Sequence, residues 1–397
     1  MYIAAKTMTA STALVLLASC ASLEKPGNLE PVLQGDAYQA QYRAPVLAET
    51  EKGYLHSSTM NAQKCLPLRG GEGGKGITYL VGERLTRNDL VEIFVSDDDT
   101  FGGSYVVSRD GTLKLPFLSP VRAQGRTTSE IERDIASKLQ AGDFFTERPK
   151  VSVRVKDFAS VTVGVSGAVF EPHATEIGSV SGEDIDDRRQ DALGASSEGR
   201  NLSAALRAAG GIRPDADISA VEVSRGSTVY KIDMRGVFEG RNNVDIMLLS
   251  GDEVRVPSRR CFQEDLMRPS PISPPGIALF ISNLTQPATG NAPSANGKEI
   301  RQVPYGTRYL QAAINMNCVG GAKTTSANRS AVLFSRNPET QVSAVVERNI
   351  EQLMRLPERD DFDPYLLPGD AMACYDSSVT NITEVGRVLG VLSLGTL

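Results

Sequence analysis

The sequence predicts an α+β protein made of several small domains, and three observations predict it. Valine alternates with polar residues in strand-like runs, the amphipathic helices are short and bounded by turn dipeptides, and a helix–Gly-Gly–strand–Gly-Asp pattern occurs twice. A chain of 397 residues accommodates roughly two to four domains. Hydrophobic residues at 41% and charged residues at 23% are those of a globular chain that can bury a core. A net charge of −6 without a basic patch excludes nucleic acid as an electrostatic partner. His56 and His173 are the only histidines and Trp is absent, so histidine metal sites and acid–base triads are disfavoured.

The chain is organised around Thr78 to Gly167. Leu90, Ile93 and Val95 stand among polar residues after a turn at Arg87-Asn88-Asp89, which predicts a strand. Tyr105-Val106-Val107 and Leu113-Lys114-Leu115 flank Asp110-Gly111, a dipeptide that supplies positive φ, and predict a tight hairpin. Thr127 with Glu130 forms a capping box, and Ile131, Ile135 and Leu139 follow on one helical face. After Pro149, Val151, Val153 and Val155 alternate with Ser152, Arg154 and Lys156, a half-buried strand.

Further on, "NLSAALRAAGGI" predicts a short helix with Asn201 as N-cap and Gly210-Gly211 at its end, followed by strands and "LLSGDEVRVP". "RYLQAAINMNCVGGA", "RSAVLFSR" and "LLPGDAMACYD" repeat that order, with a longer insert. In the insert, Asn337 as N-cap, Pro338 at the first helical position and the stripe Val342, Val345, Val346, Ile350, Leu353 predict a helix. The acidic stretch 182–199 reads as a solvated loop, and 269–276 and 285–298 as connectors.

"YVVSRDGTLKLPFLSPVRAQGRTTSEIERDIASKL" and "PKVSVRVKDFASVTVGVSGAV" resemble the polysaccharide export signature domain of outer-membrane polysaccharide exporters. The resemblance departs from the family pattern at Asn88-Asp89, where Gly-Asp is usual, and at Glu171-Pro172-His173, where Pro-Gly is usual. The repeated unit resembles the soluble-ligand-binding β-grasp (SLBB-like) domain that follows the signature in this family; Met372 and Cys374 replace the usual valines of the second copy. The expected division is a lipoprotein signal peptide at 1–19, an extended segment at 20–77, the signature domain at 78–159, SLBB-like domains at 160–260 and 261–376, and an amphipathic transmembrane helix at 377–397.

Lys6 and the apolar run before Leu17-Ala18-Ser19-Cys20 resemble a bacterial lipobox, which makes Cys20 the expected lipidation site. At the other end Val379, Ile382, Val385, Leu389 and Leu392 line one helical face. As a helix this tail is about 28 Å long at about 1.5 Å per residue, close to a hydrocarbon core of about 30 Å. Gly386, Gly390 and Gly395 with several polar residues make it a poor span alone. In a ring of copies the small and polar positions would face neighbours or a lumen. Cys65, Cys261, Cys318 and Cys374 are disulfide candidates whose connectivity the residues leave open. If the family topology holds, with both chain ends at the outer membrane, the descending Cys65 passes the inter-repeat junction at Cys261, and Cys318 faces Cys374 across one small core.

No nucleophile elbow or Walker loop appears: "GGEGGKG" lacks the required spacing and no helix pattern follows it. The carboxylate runs Asp97-Asp98-Asp99 and Glu358 to Asp363 could ligate calcium but more often form solvated loops. No enzyme activity, metal or cofactor is expected. The resemblance implies an outer-membrane lipoprotein, its bulk in the periplasm, forming a homo-oligomeric channel (an octamer in the family) for capsular or exopolysaccharide. Its partners would be the polymer, outer-membrane lipid and an inner-membrane polysaccharide co-polymerase or ABC export complex. The alternative is a periplasmic SLBB-type ligand-binding or scaffold lipoprotein without a pore.

Overall fold

A computed structural model describes residues 80, 82–178, 198–241, 245–283, 301–315, 330–336, 338, 343–357 and 359–375. These divide into two compact units on either side of the Pro275–Gly276 bond.

The N-terminal unit opens with β1 (Leu90–Val95) and β2 (Asp98–Val106), then a two-stranded ribbon of β3 (Thr112–Leu113) and β4 (Val121–Arg122), helix α1 (Thr128–Ala141) and β5 (Val151–Asp157). β1 is the centre of a three-stranded antiparallel sheet in the order β2-β1-β5. Its inward residues are Val91, Ile93 and Val95; Leu90 is only half-buried because the period-2 alternation puts it on the other face. Ile131, Ile135 and Leu139 of α1 are fully buried against this sheet. Thr127 caps the helix reciprocally with Glu130: the Glu130 amide donates to Thr127 Oγ1 and the Thr127 amide donates to Glu130 Oε2 at 2.8 Å.

The expected hairpin around Asp110-Gly111 is a turn, but its two flanks do not pair with each other. Tyr105 and Val106 pair with Val91 and Leu90 of β1, whereas Thr112 and Leu113 pair with Arg122 and Val121. The turn closes locally, with the Ser108 amide donating to Thr112 O at 2.9 Å and the Thr112 amide to Asp110 Oδ1 at 3.1 Å. The separate ribbon exists because Leu113, Leu115, Val121 and Ala123 all enter the core, which a simple two-strand continuation would not allow.

The same unit continues through β6 (Val161–Gly167), β7 (His173–Ile177), α2 (Leu202–Ala208), β8 (Val221–Arg225), β9 (Thr228–Ile232), the one-turn helix α3 (Gly236–Glu239) and β10 (Glu253–Val256). The sheet order is β7-β6-β10-β8-β9, with β10 parallel to β6 and every other pair antiparallel. Parallel neighbours need a long crossover, and α2 lies within it, burying Leu202, Ala205 and Leu206. Asn201 holds the N-cap position without a side-chain bond; the Ser203 amide donates instead to Asp245 Oδ1 at 3.1 Å. Gly211, at φ 82°, admits no side chain, since a Cβ would overlap Pro274. Residues 261–275, expected to open the second repeat, belong to this unit because Leu266 and Ile272 are buried in its core.

The C-terminal unit holds β11 (Ile277–Asn283), β12 (Arg301–Val303), α4 (Tyr309–Asn315), β13 (Ser330–Arg336), β14 (Ser343–Asn349), α5 (Ile350–Arg355) and β15 (Ala371–Tyr375). Its sheet order, β12-β11-β15-β13-β14, repeats the first one strand for strand, including the parallel pairing of the first and last strands. The helix expected from Asn337 is corrected here: Val345 and Val346 lie in β14, opposite Phe334 and Leu333, and the helix starts only at Ile350 with Asn349 as N-cap. β-branched pairs favour the extended chain, and a vacant edge of β13 was there to receive them. Asn337 and Val342 lie outside the described residues.

Cys20, Cys65, Cys318 and the tail with Val379, Ile382, Val385, Leu389 and Leu392 also lie outside them. Among the described residues no helix is long and apolar enough to cross a membrane, so the expected C-terminal span has no support from them.

Candidate functional site

The turn Thr86–Asp89 opens β1 and is the root of the three-stranded body. Asn88 takes the left-handed conformation at φ 70°, one that Asn tolerates better than other non-glycine residues. That bend points the Asp89 carboxylate inward, where it is completely buried. The Thr86 amide donates to Oδ2 at 2.7 Å, and the Ala159 amide donates to Oδ1 at 3.0 Å. The remaining partner comes from the turn just before α2: Arg200 Nη1 donates to Oδ1 at 2.8 Å. Arg200 is itself 1% exposed. Its guanidinium lies 5.1 Å from the centre of the Phe158 ring and also donates to Leu248 O.

Burial pushes the Asp89 carboxyl up, and the Arg200 charge with the two amides pulls it back. Burial likewise pulls the Arg200 guanidinium down, with Asp89 opposing. A guanidinium deprotonates only above about 12 in water, so the pair stays ionic, and each partner is tolerable only while the other is present. Around it Arg87 Nη2 donates to Ser250 Oγ at 3.0 Å, and Met247 joins the core beneath α1. The arrangement is a lock that makes the three-stranded body and the first five-stranded sheet one unit.

A second motif, found in both sheets, was missed by sequence reasoning. An aspartate seven positions before the aspartate of the Gly-Asp turn caps the start of the sheet's helix. Asp245 serves α2 through Ser203, and Asp363 serves α4 by accepting from the Leu310 amide at 2.7 Å. The matching runs "DIMLLSGD" and "DPYLLPGD" carry that signal. The stitching is shared: the Leu202 amide donates to Ile246 O and the Tyr309 amide to Pro364 O, both at 2.9 Å.

Cys261 and Cys374 are buried and each is disulfide-bonded. Among the described residues no group of three or more His, Cys, Asp or Glu side chains is placed to hold a metal ion. Asp97 lies in the turn before β2, and Asp98 and Asp99 begin the strand; Asp98 Oδ1 accepts from the amides of Thr100 and Phe101, an ordinary turn function.

The family comparison falls on the same body. Residues 82–156 match the family model described as polysaccharide biosynthesis/export protein. Over 97 residues the chain is 32% identical to the exopolysaccharide production protein ExoF of Rhizobium meliloti (strain 1021), covering 24% of this chain and 23% of that protein. The chain thus spans about a quarter of this relative's length. The match contains β1, the buried Asp89 turn, the ribbon, the capped helix and all but the last residue of β5. Residues 82–156 therefore match a polysaccharide biosynthesis/export domain.

Proposed function

We propose that the protein is an outer-membrane lipoprotein that assembles with copies of itself into a channel for capsular or exopolysaccharide. The observation that carries this reading is the export domain at residues 82–156, joined by the Asp89–Arg200 lock to the first of two sheets of the same topology. In this reading Cys20 is lipidated, the two sheets are SLBB-type β-grasp domains, and an inner-membrane co-polymerase or ABC export complex supplies the polymer and the energy. The chain's own part is passive conduction. A closed head-to-tail ring gives each copy the same two neighbours and leaves no free interface. The tail from Val379 to Leu397 lines the outer-membrane opening, its apolar stripe toward lipid and its glycines toward neighbouring copies.

Cys65–Cys261 and Cys318–Cys374 are the pairings that fit this topology. Both described members of those pairs are disulfide-bonded, which supports an oxidising compartment such as the periplasm.

Deleting residues 379–397 tests the conduit. The truncated chain is expected to accumulate to wild-type level while surface polysaccharide falls to the level of a strain lacking the gene. Unchanged surface polysaccharide would instead favour a periplasmic scaffold without a pore.

A further inference from the structure

The two five-stranded sheets close on the same turn, and one substitution separates them chemically. In the first sheet Gly251 (φ 88°) lets the chain turn so that the Leu249 amide donates to Asp252 Oδ2 at 2.8 Å. In the second, Gly369 (φ 89°) does the same and the Leu367 amide donates to Asp370 Oδ2 at 2.8 Å. Both carboxylates are buried, at 2% and 1% exposure. The strand registers Glu253↔Ser224 and Ala371↔Phe334 make Arg225 and Ser335 the equivalent next residues. Arg225 grips Asp252 with two nitrogens, Nε to Oδ1 at 3.0 Å and Nη2 to Oδ2 at 2.6 Å. Ser335 offers Asp370 Oδ1 a single hydroxyl at 2.6 Å.

A guanidinium and a hydroxyl treat a proton differently. The guanidinium can only donate, so a protonated Asp252 would lose its ion pair and face an uncompensated charge. The hydroxyl both donates and accepts: when Asp370 Oδ1 gains a proton, Ser335 reverses from donor to acceptor and the bond survives. Among the described residues, the elements packed around Asp370 bring no counter-charge. β11 carries no ionisable side chain. Arg336 on β13 is exposed. Glu347 and Arg348 lie on β14, and Arg308 bears on Asp363 rather than on Asp370. Burial pushes Asp370 to about 7, with only the Ser335 hydroxyl and the Leu367 amide opposing. Asp363, at the start of α4, is likewise pushed by burial to about 6.

We propose that the turn Leu367–Asp370 is a proton-sensitive joint: mild acid neutralises the buried Asp370 carboxyl without breaking its bonds, so this turn tightens on acidification while the matching turn of the first sheet, pinned by Arg225, does not. The sign follows from linkage. The folded carboxyl keeps its proton to about 7, whereas the unfolded group, near 3.8, has released it, so folding takes up a proton between those values. Stability is therefore gained as pH falls from about 7 toward 4 and lost as pH rises through about 7.

Hydrogen exchange of the full-length protein tests this at single amides, after correction for the intrinsic pH dependence of exchange. Protection of the Leu367 amide is expected to rise about tenfold between pH 8 and pH 6, while the Leu249 amide stays level. Asp370→Asn should flatten the Leu367 response. Arg225→Ser should create the same response at Leu249, a result that does not depend on the Asp370 variant folding. A flat Leu367 profile in the wild type, or a Leu249 profile unmoved by Arg225→Ser, overturns the proposal.

Discussion

Removing the Arg200 guanidinium would leave a buried carboxylate held by two amides and no counter-charge. Losing one partner of such a pair costs about 3–5 kcal/mol, far more than the median exposed ion pair, which is worth about 0–1 kcal/mol. Arg200→Ala should therefore lower the stability of the N-terminal unit by about 3–5 kcal/mol in urea titration. Asp89→Asn with Arg200→Met, which removes both charges, should recover much of that loss. A single-variant loss below about 1 kcal/mol would mean the pair is solvated, contrary to its burial. At this scale the sequence was only half legible. Asn88-Asp89 reads as a turn from its residue types, but nothing local ties Asp89 to an arginine 111 positions away. Asp245 and Asp363 were legible in principle, since the interval to Asp252 and to Asp370 is the same.

Elements whose signals are local came through. The Thr127–Glu130 box and the Ile131, Ile135, Leu139 stripe specify α1 because a cap and a face are decided within a few turns of chain. Elements decided by a distant partner did not. The run "SAVVERNIEQLM" fits a helical stripe, yet its first half became β14 because β13 offered it an edge. The Asp110-Gly111 turn formed while its flanking strands found other partners, β1 on one side and β4 on the other. The proposed disulfides belong to this scale, each tying a closing strand or junction to a segment distant in sequence. Peptide maps of non-reduced protein should join Cys65 to Cys261 and Cys318 to Cys374. A fragment joining Cys261 to Cys374 would contradict the proposed path of the chain.

For the whole molecule, the α+β class and the internal repeat were both readable, because binary pattern and Gly-Asp punctuation recur and report fold class directly. The shared strand order of the two sheets extends that reading to topology. The proposed membrane crossing is of another kind: in that proposal a tail too polar to insert singly gains competence only from neighbours, and one chain's sequence does not contain its neighbours. The central claim is accordingly one of assembly. Electron microscopy of the full-length protein, extracted from cell envelopes in detergent, tests it most directly. The account predicts closed rings of uniform symmetry with an open axis; a homogeneous population of single copies, persisting when lipid is restored, would contradict it.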